Sequence, residues 1–447
     1  MYKHMLYFLV SAAVLLLVIP AQAVEQVLYN FCSLPNCQDG ANPASDLVLD
    51  GSGNVWGTAQ NGGHYGFGTI FELTASSGFT ALGVVYSFRG GSDGANPEAG
   101  LVFDSANGSL YGTTVHGGGS AAACSGGCGT VFSLNTATAG YQTLYRFSGA
   151  PSDGANPTAE LLLDSAGDLY GTTANGGTVA ANCNLGCGTV FLLPPNSGSD
   201  QVLHNFVGTA DGANPASGLT FDGQGNLWGT AVNGGAKGFG TVFELTVPSF
   251  TLGLVHSFNG TTAANPAAAL IFDSEDIDGG YLYGTTRAGG SKKCAGGCGT
   301  VFQLLPSTSA FKILHDFSST DGAAPVGRLA LETDATNANY GSLYGTASRG
   351  GDTAGVCGTA GCGTAFEVCP PTQSCTWRET TLFKFDGVDG SNPSAGFLLF
   401  PTQGDPDGIN DGINPFQTGR GGCSSNCVAS TQQGGTNSAG TVIKIGP

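Results

Sequence analysis

Short apolar runs rich in Leu, Val, Phe, Tyr and Thr, each bounded by Gly, Asn, Asp or Pro, recur in one fixed order seven times along the chain. One copy passes through an Asp-Gly-Ala-Asn-Pro turn (Asp93 to Pro97) and an apolar run ending in Asp (Leu101 to Asp104). It continues through Leu-Tyr-Gly-Thr-Thr (Leu110 to Thr114), Gly-Thr-Val-Phe (Gly129 to Phe132) and Leu-Tyr-x-Phe (Leu144 to Phe147). Aromatic and β-branched residues between such breakers predict strands and turns, four strands to a copy. The first strand recurs at Leu47, Leu101, Leu161, Leu219, Leu270, Leu329 and Phe397; the fourth ends at Phe31, Phe88, Phe147, Phe206, Phe258, Phe317 and Phe385. Repeats of roughly 50 to 65 residues with four strands each fit propeller blades better than the shorter coils of a β-helix.

The pattern begins and ends out of phase. A fourth-type strand, Val27 to Phe31, comes first, and a third-type strand, Thr441 to Ile445, comes last. An all-β, seven-bladed β-propeller is expected, with four antiparallel strands per blade and the N-terminal strand completing the last blade. Such closure pairs the edges that an open array would expose. The expected propeller domain spans 24–447, with an insertion at about 401–426 in the last blade, where Phe400 stands in place of the usual Asp.

Residues 1–23 read differently. Lys3, an apolar stretch from Met5 to Ile19, Pro20 and Ala21-Gln22-Ala23 follow the order of a secretory signal, with cleavage expected after Ala23. The apolar run is shorter than the ~20 residues that span a bilayer, so no membrane insertion is expected after cleavage. Cysteine usage agrees with an extracellular or periplasmic location. All fourteen cysteines fall in close pairs: Cys32 and Cys37, Cys124 and Cys128, Cys183 and Cys187, Cys294 and Cys298, Cys357 and Cys362, Cys369 and Cys375, Cys423 and Cys427. In a secreted chain these predict local disulfides, each adding about 2 kcal/mol in the chain-entropy description. The residue before the third strand is Cys128, Cys187, Cys298 or Cys362 in four copies, but Phe67 and Phe239 in two others and Ala439 in the last, so an aromatic plug usually replaces a missing staple.

The Asn-Pro turn, the Asn-Leu-Tyr-Gly-Thr-Thr type of strand, the Gly-Gly loop and the Gly-Thr-Val-Phe strand together resemble the GloVer tandem repeat, named for Gloeobacter and Verrucomicrobia. The resemblance covers nearly all of the chain after residue 23. It implies a secreted or surface-anchored bacterial propeller and brings no catalytic residues with it.

Composition narrows the partners. With 14 basic against 32 acidic residues the net charge is −18, which disfavours nucleic acid and anionic membranes. Only 10% of residues are charged while 75 are Gly, so the expected surface is largely backbone, Thr, Ser and Asn, a composition that suits hydrogen-bonding to neutral polymers and equally suits simple resistance to proteases. Six copies keep the turn Asp (Asp39, Asp93, Asp153, Asp211, Asp321, Asp389), and a feature kept in so many blades is read as structural.

Departures from the repeat are better candidates for function. Just before the first strand stand Gly100, Gly218, Ala269 and Gly396 in four copies, yet Asp46, Glu160 and Arg328 in three, with Glu98 two residues ahead of Gly100. These charges are expected at the mouth of the central channel, where they would hydrate its lining, hold a cation, orient a sugar or do acid–base work. His64 and His116, in loops of neighbouring blades on one face, are secondary candidates, whereas His204, His256 and His315 replace a fourth-strand Tyr and read as packing residues. Asp276 and Asp278, and Asp405, Asp407 and Asp411 in the insertion, resemble parts of a calcium loop without its full spacing; an ordinary acidic loop is the favoured reading, and no cofactor is expected. No zinc-protease helix, nucleophile elbow or phosphate loop occurs. The expectation is a non-enzymatic module that binds an extracellular glycan or protein. A channel-mouth hydrolase or lyase and a structural matrix component are the alternatives.

Overall fold

The computed structural model describes residues 24–119, 123–274, 280–333, 340–353, 356–371, 377–399 and 427–446. The strands form seven antiparallel blades arranged as a β-propeller, the first six each running from the axis outward in chain order. Blade 2 is representative: Val102–Asp104 lies innermost, followed by Ser109–Thr114, Thr130–Asn135 and Tyr141–Arg146. The seventh blade is closed as expected, because Val24–Asn30 pairs antiparallel with Thr441–Gly446, from Val24 opposite Gly446 to Asn30 opposite Thr441. No helix among the described residues is long and apolar enough to cross a membrane.

Packing between blades explains the repeated motifs. The turn Asn takes a left-handed conformation at Asn42, Asn96, Asn156, Asn214, Asn265 and Asn392, which Asn tolerates better than most residues. From there its backbone N–H reaches the carbonyl just before the preceding blade's third strand, as in Asn96 to Phe67 and Asn156 to Cys128, both 2.8 Å. In five blades its side-chain amide donates to a carbonyl at the end of the preceding blade's second strand, as in Asn156 to Val115 at 2.9 Å. The following Pro lies against the Gly that opens the preceding blade's third strand. A Cβ on Gly129, where φ is +97°, would sit 2.7 Å from Pro157 and 2.3 Å from the Thr114 carbonyl. The turn Asp is structural too: Asp39, Asp93, Asp153, Asp211 and Asp321 each bond the penultimate residue of the preceding fourth strand, Tyr29, Tyr86, Tyr145, His204 or His315. His256 has no such Asp and stacks on Phe311 instead, with centroids 4.1 Å apart.

Five disulfides lie among the described residues: Cys32–Cys37, Cys124–Cys128, Cys183–Cys187, Cys294–Cys298 and Cys357–Cys362. Cys375 and Cys423 lie outside them, so the last two pairings have no structural counterpart here. The disulfides at Cys124–Cys128 and Cys183–Cys187 pack over Gly149 and Gly208; Phe67 and Phe239 place their rings over Gly90 and Gly260, the equivalent positions. The aromatic plug therefore fills the space of a missing staple.

A compensated change marks the last blade. In the others, second-strand Gly faces third-strand Phe, and a Cβ on Gly112 would lie 2.6 Å from Phe132 Cζ and 2.7 Å from Leu101 Cδ2. Blade 7 has Ala429 opposite Ile443, so the added methyl is matched by a smaller partner. Gly112→Ala is expected to lower stability by about 2–3 kcal/mol through overpacking, and Phe132→Ile in the same chain to recover a large part of it. A denaturation double-mutant cycle with simply additive costs would contradict this coupling.

Candidate functional site

The seven residues preceding the first strands form a ring around the axis. Their side chains are missing or minimal at Gly100, Gly218, Ala269 and Gly396, which leaves Asp46, Glu160 and Arg328 to fill the interior. Asp46 and Glu160 approach over Gly100 from either side: a Cβ there would be 3.4 Å from Asp46 Cβ and 3.5 Å from Glu160 Cδ. Arg328 reaches across from blade 6, with Nη1 3.4 Å from Glu160 Oε2 and side-chain exposures of only 9% and 12%. The Gly396 N–H donates to Asp46 Oδ1. The three charges thus meet inside the ring, in a largely enclosed cluster.

Two carboxyls share one guanidinium, and the electrostatics follow. Burial pushes the Asp46 carboxyl above its ordinary range, opposed by the Gly396 hydrogen bond and by Arg328. Burial pushes Glu160 up to about 7; Arg328 opposes this and Asp46 adds to it. One positive charge compensates one carboxylate, so the second retains its proton toward neutral pH. The cluster can hold and exchange a proton, and the guanidinium in its midst works against a bound cation.

Glu98 belongs to another place. Its carboxylate accepts a hydrogen bond from Gln60 of blade 1; burial raises its pKa, while the Gln60 bond and nearby His116 lower it. His64 lies in an exposed loop, its ring edge-on to Tyr65 at 4.7 Å, and Arg89 covers the same Tyr65 ring at 5.7 Å. The structure therefore puts Asp46, Glu160 and Arg328 in one cluster, His116 beside Glu98, and His64 in a different setting. Asp276, Asp278, Asp405, Asp407 and Asp411 lie outside the described residues.

A cleft of about 760 Å³ opens between blades 2 and 3, on the face opposite the Asn-Pro turns. Its walls are the first hairpins of both blades, the Leu193–Gly198 segment and the strand residues Tyr111, Ser133, Gln142 and Leu144. It lies over the one second-strand aromatic that is not fully buried among the described residues. The second-strand aromatics Trp56, Tyr170, Trp228, Tyr283 and Tyr344 are buried, with exposures of 2%, 7%, 2%, 4% and 1%, whereas their equivalent Tyr111 is half-buried. Trp56, Tyr170 and Trp228 are covered by Phe103, Phe221 and Phe272 from the next blade, and Tyr283 packs on Trp377. The residue facing Tyr111 is Leu163; Leu331 and Leu399 hold the same place beside the buried Tyr283 and Tyr344, so residue size alone does not open the cleft.

The cleft is polar but not cationic. Tyr111 accepts a bond from Asn107 Nδ2 at 3.1 Å, which leaves its hydroxyl proton available, and Gln142 is exposed. Among the described residues, Asp104 and Asp164 are the only charged ones lining it, and both serve local turns, accepting backbone N–H bonds from Ala106 and Ala166 at 2.9 Å. This site was missed on the sequence, where Leu163 is no departure from the repeat because Leu49, Leu331 and Leu399 stand at the same position.

The family model for the Gloeobacter/Verrucomicrobia repeat matches residues 17–182, 122–293 and 177–443. No curated protein matches the chain. Among solved structures, the extracellular domain of a hybrid two-component system from B. thetaiotaomicron is similar at 10% identity and a TM-score of 0.51; the match covers 94% of this chain and 39% of that one. An oligogalacturonate lyase from Vibrio parahaemolyticus is 9% identical with a TM-score of 0.49, covering 96% and 94%. The nidogen/laminin complex is 13% identical with a TM-score of 0.39, covering 68% and 86%. At these identities the likeness concerns the fold alone.

Proposed function

The chain belongs to the Gloeobacter/Verrucomicrobia repeat family, and we propose that it is a secreted, non-enzymatic binding propeller that holds a segment of neutral polysaccharide between blades 2 and 3. The observation that carries this reading is the cleft at Tyr111, whose ring is half-buried where its equivalents in other blades are buried. Its volume of about 760 Å³ lies within the usual range for ligand sites. A half-buried Tyr offers an apolar ring face with a polar tip, and Ser133, Gln142 and Asn196 supply hydroxyl and amide groups that complement sugar hydroxyls. With two carboxylates and no cation in its lining, the cleft repels polyanions.

The axial cluster favours a second reading. A carboxyl titrating near neutrality could serve acid–base chemistry in a hydrolase or lyase, although Arg328 already engages Glu160 and the Gly396 N–H engages Asp46.

Both readings meet in one experiment, in which neutral and anionic polysaccharides are incubated with the protein while retention and released sugar are followed. Retention of a neutral polymer without release is expected, with Tyr111→Ala plus Gln142→Ala weakening it about tenfold, or ~1.4 kcal/mol, and Glu160→Gln leaving it unchanged. Retention indifferent to the cleft substitutions would dismiss the cleft, and sugar release abolished by Glu160→Gln would establish the enzyme.

A further inference from the structure

At the outer edge of the junction between blades 5 and 6, on outer strands rather than at the axis or the cleft, a His and two carboxylates converge. His315 comes from the last strand of blade 5, Asp321 from the turn that follows, and Glu379 from the last strand of blade 6; one ligand atom of each lies within 4.8 Å of the others. The geometry points to a divalent transition-metal site, of the Zn²⁺ or Mn²⁺ type, formed by His315, Asp321 and Glu379 and fastening blade 5 to blade 6.

Three features support it. The ligand set is one imidazole and two carboxylates, neutral nitrogen and hard oxygen, which suits Zn²⁺ or Mn²⁺ and leaves further positions to water. His315 Nε2 is 3.2 Å from Asp321 Oδ2, close to the ~3.3 Å edge of a tetrahedron with 2.0 Å bonds, and both side chains keep enough exposure, 18% and 20%, to admit an ion. Both carboxylates are also oriented from behind. Asp321 Oδ1 accepts bonds from the Ser318 N–H at 2.7 Å and the Ser318 hydroxyl at 3.1 Å, and Glu379 Oε1 accepts one from the Thr381 hydroxyl at 2.9 Å. Such outer bonds fix the geometry of metal ligands.

The other junctions show what is unusual here. The position of Glu379 is taken by Tyr141 in blade 2 and Phe311 in blade 5, and these rings stack on Tyr86 and His256 of the preceding blade at 3.9 and 4.1 Å. In blade 4 it is Leu252, so His204 and Asp211 form the same His–Asp pair, 3.0 Å apart, with Leu in place of the third ligand. A carboxylate in place of an apolar contact weakens the junction unless something compensates it. Lys384 lies near Glu379, but no ion pair joins them among the described residues.

The test titrates chelator-treated full-length protein with Zn²⁺, and separately with Mn²⁺, by calorimetry and by thermal melting. One equivalent of either ion is expected to bind and raise the melting temperature. Glu379→Gln and His315→Ala should each weaken binding roughly 30-fold or more, while His204→Ala keeps it. Glu379→Phe is the fold-preserving companion: it should place a ring on His315, as Phe311 does on His256, and melt normally with no response to metal. Absence of saturable binding up to roughly millimolar ion, or binding indifferent to both Glu379→Gln and His315→Ala, would overturn the site.

Discussion

Replacing Arg328 with Met is expected to lower the free energy of unfolding by about 3–5 kcal/mol at pH 8, because it strands buried carboxylates without their counter-charge. Near pH 5 the loss should be much smaller. In the wild type, burial and Asp46 push Glu160 up to about 7 against the pull of Arg328. In the unfolded chain the same carboxyl ionises near about 4.3. Between those values the folded protein keeps a proton that the unfolded chain has released. The group's contribution is therefore full below about pH 4.3, falls as pH rises toward 7 and then levels, with a slope of at most ~1.4 kcal/mol per pH unit. Removing Arg328 removes the one charge that favours ionisation, so the decline should extend to higher pH and become larger. Glu160→Gln leaves one guanidinium facing one carboxyl and should flatten the curve. The combined Arg328→Met, Glu160→Gln chain should recover part of the loss. Asp200 and Asp389, each pushed up to about 6 by burial first of all, add a background slope, so the comparison is between variants. Denaturation midpoints from about pH 5 to pH 8 decide it, and an Arg328→Met curve matching the wild type throughout would refute the account.

The blades were legible because their information is local. A run such as Leu110 to Thr114, with its flanking Gly and Asn, specifies a strand and its ends within a few residues. The family resemblance rests on the same short motifs. Interactions between blades were harder to read. The pairing of Gly112 with Phe132, compensated as Ala429 with Ile443, spans strands that only the observed register brings together. The charged candidates before the first strands were visible as departures from the repeat, and Asp46, Glu160 and Arg328 do meet. Glu98, two residues before its blade's ring position, turns to Gln60 instead. The cleft at Tyr111 opens between two blades, and the His315 cluster depends on Glu379 in another blade; in each case one residue looks ordinary until its spatial surroundings are known.

A chain beginning at Phe31 is expected to lose the closed propeller altogether. Within each of blades 1 to 6 all four strands are joined by consecutive loops, and the last strand leads directly into the next blade. Blade 7 alone draws its outer strand from the other end of the sequence, so its closure rests on noncovalent pairing of Val24–Asn30 with Thr441–Gly446. That strand also brings Leu28 into a core cluster with Leu47, Phe71 and Val442, and the Tyr29 hydroxyl to Asp39 at 2.8 Å. Without it, the backbone groups of Thr441–Gly446 become a free edge beside exposed apolar side chains, and a free β-edge pairs with other chains. Soluble aggregates or dimers by size exclusion with light scattering, and a broadened, lowered melt, are expected. A synthetic peptide of residues 24–30 should restore part of the intact chain's assembly state, because the missing piece contributes pairing and packing rather than chain connectivity. Tyr29→Ala separates the contributions: it removes the bond to Asp39 but keeps the strand, and should cost about 1–3 kcal/mol without causing association. A truncated chain with the same assembly state as the intact one and an unchanged melt would show that the ring holds without its closing strand.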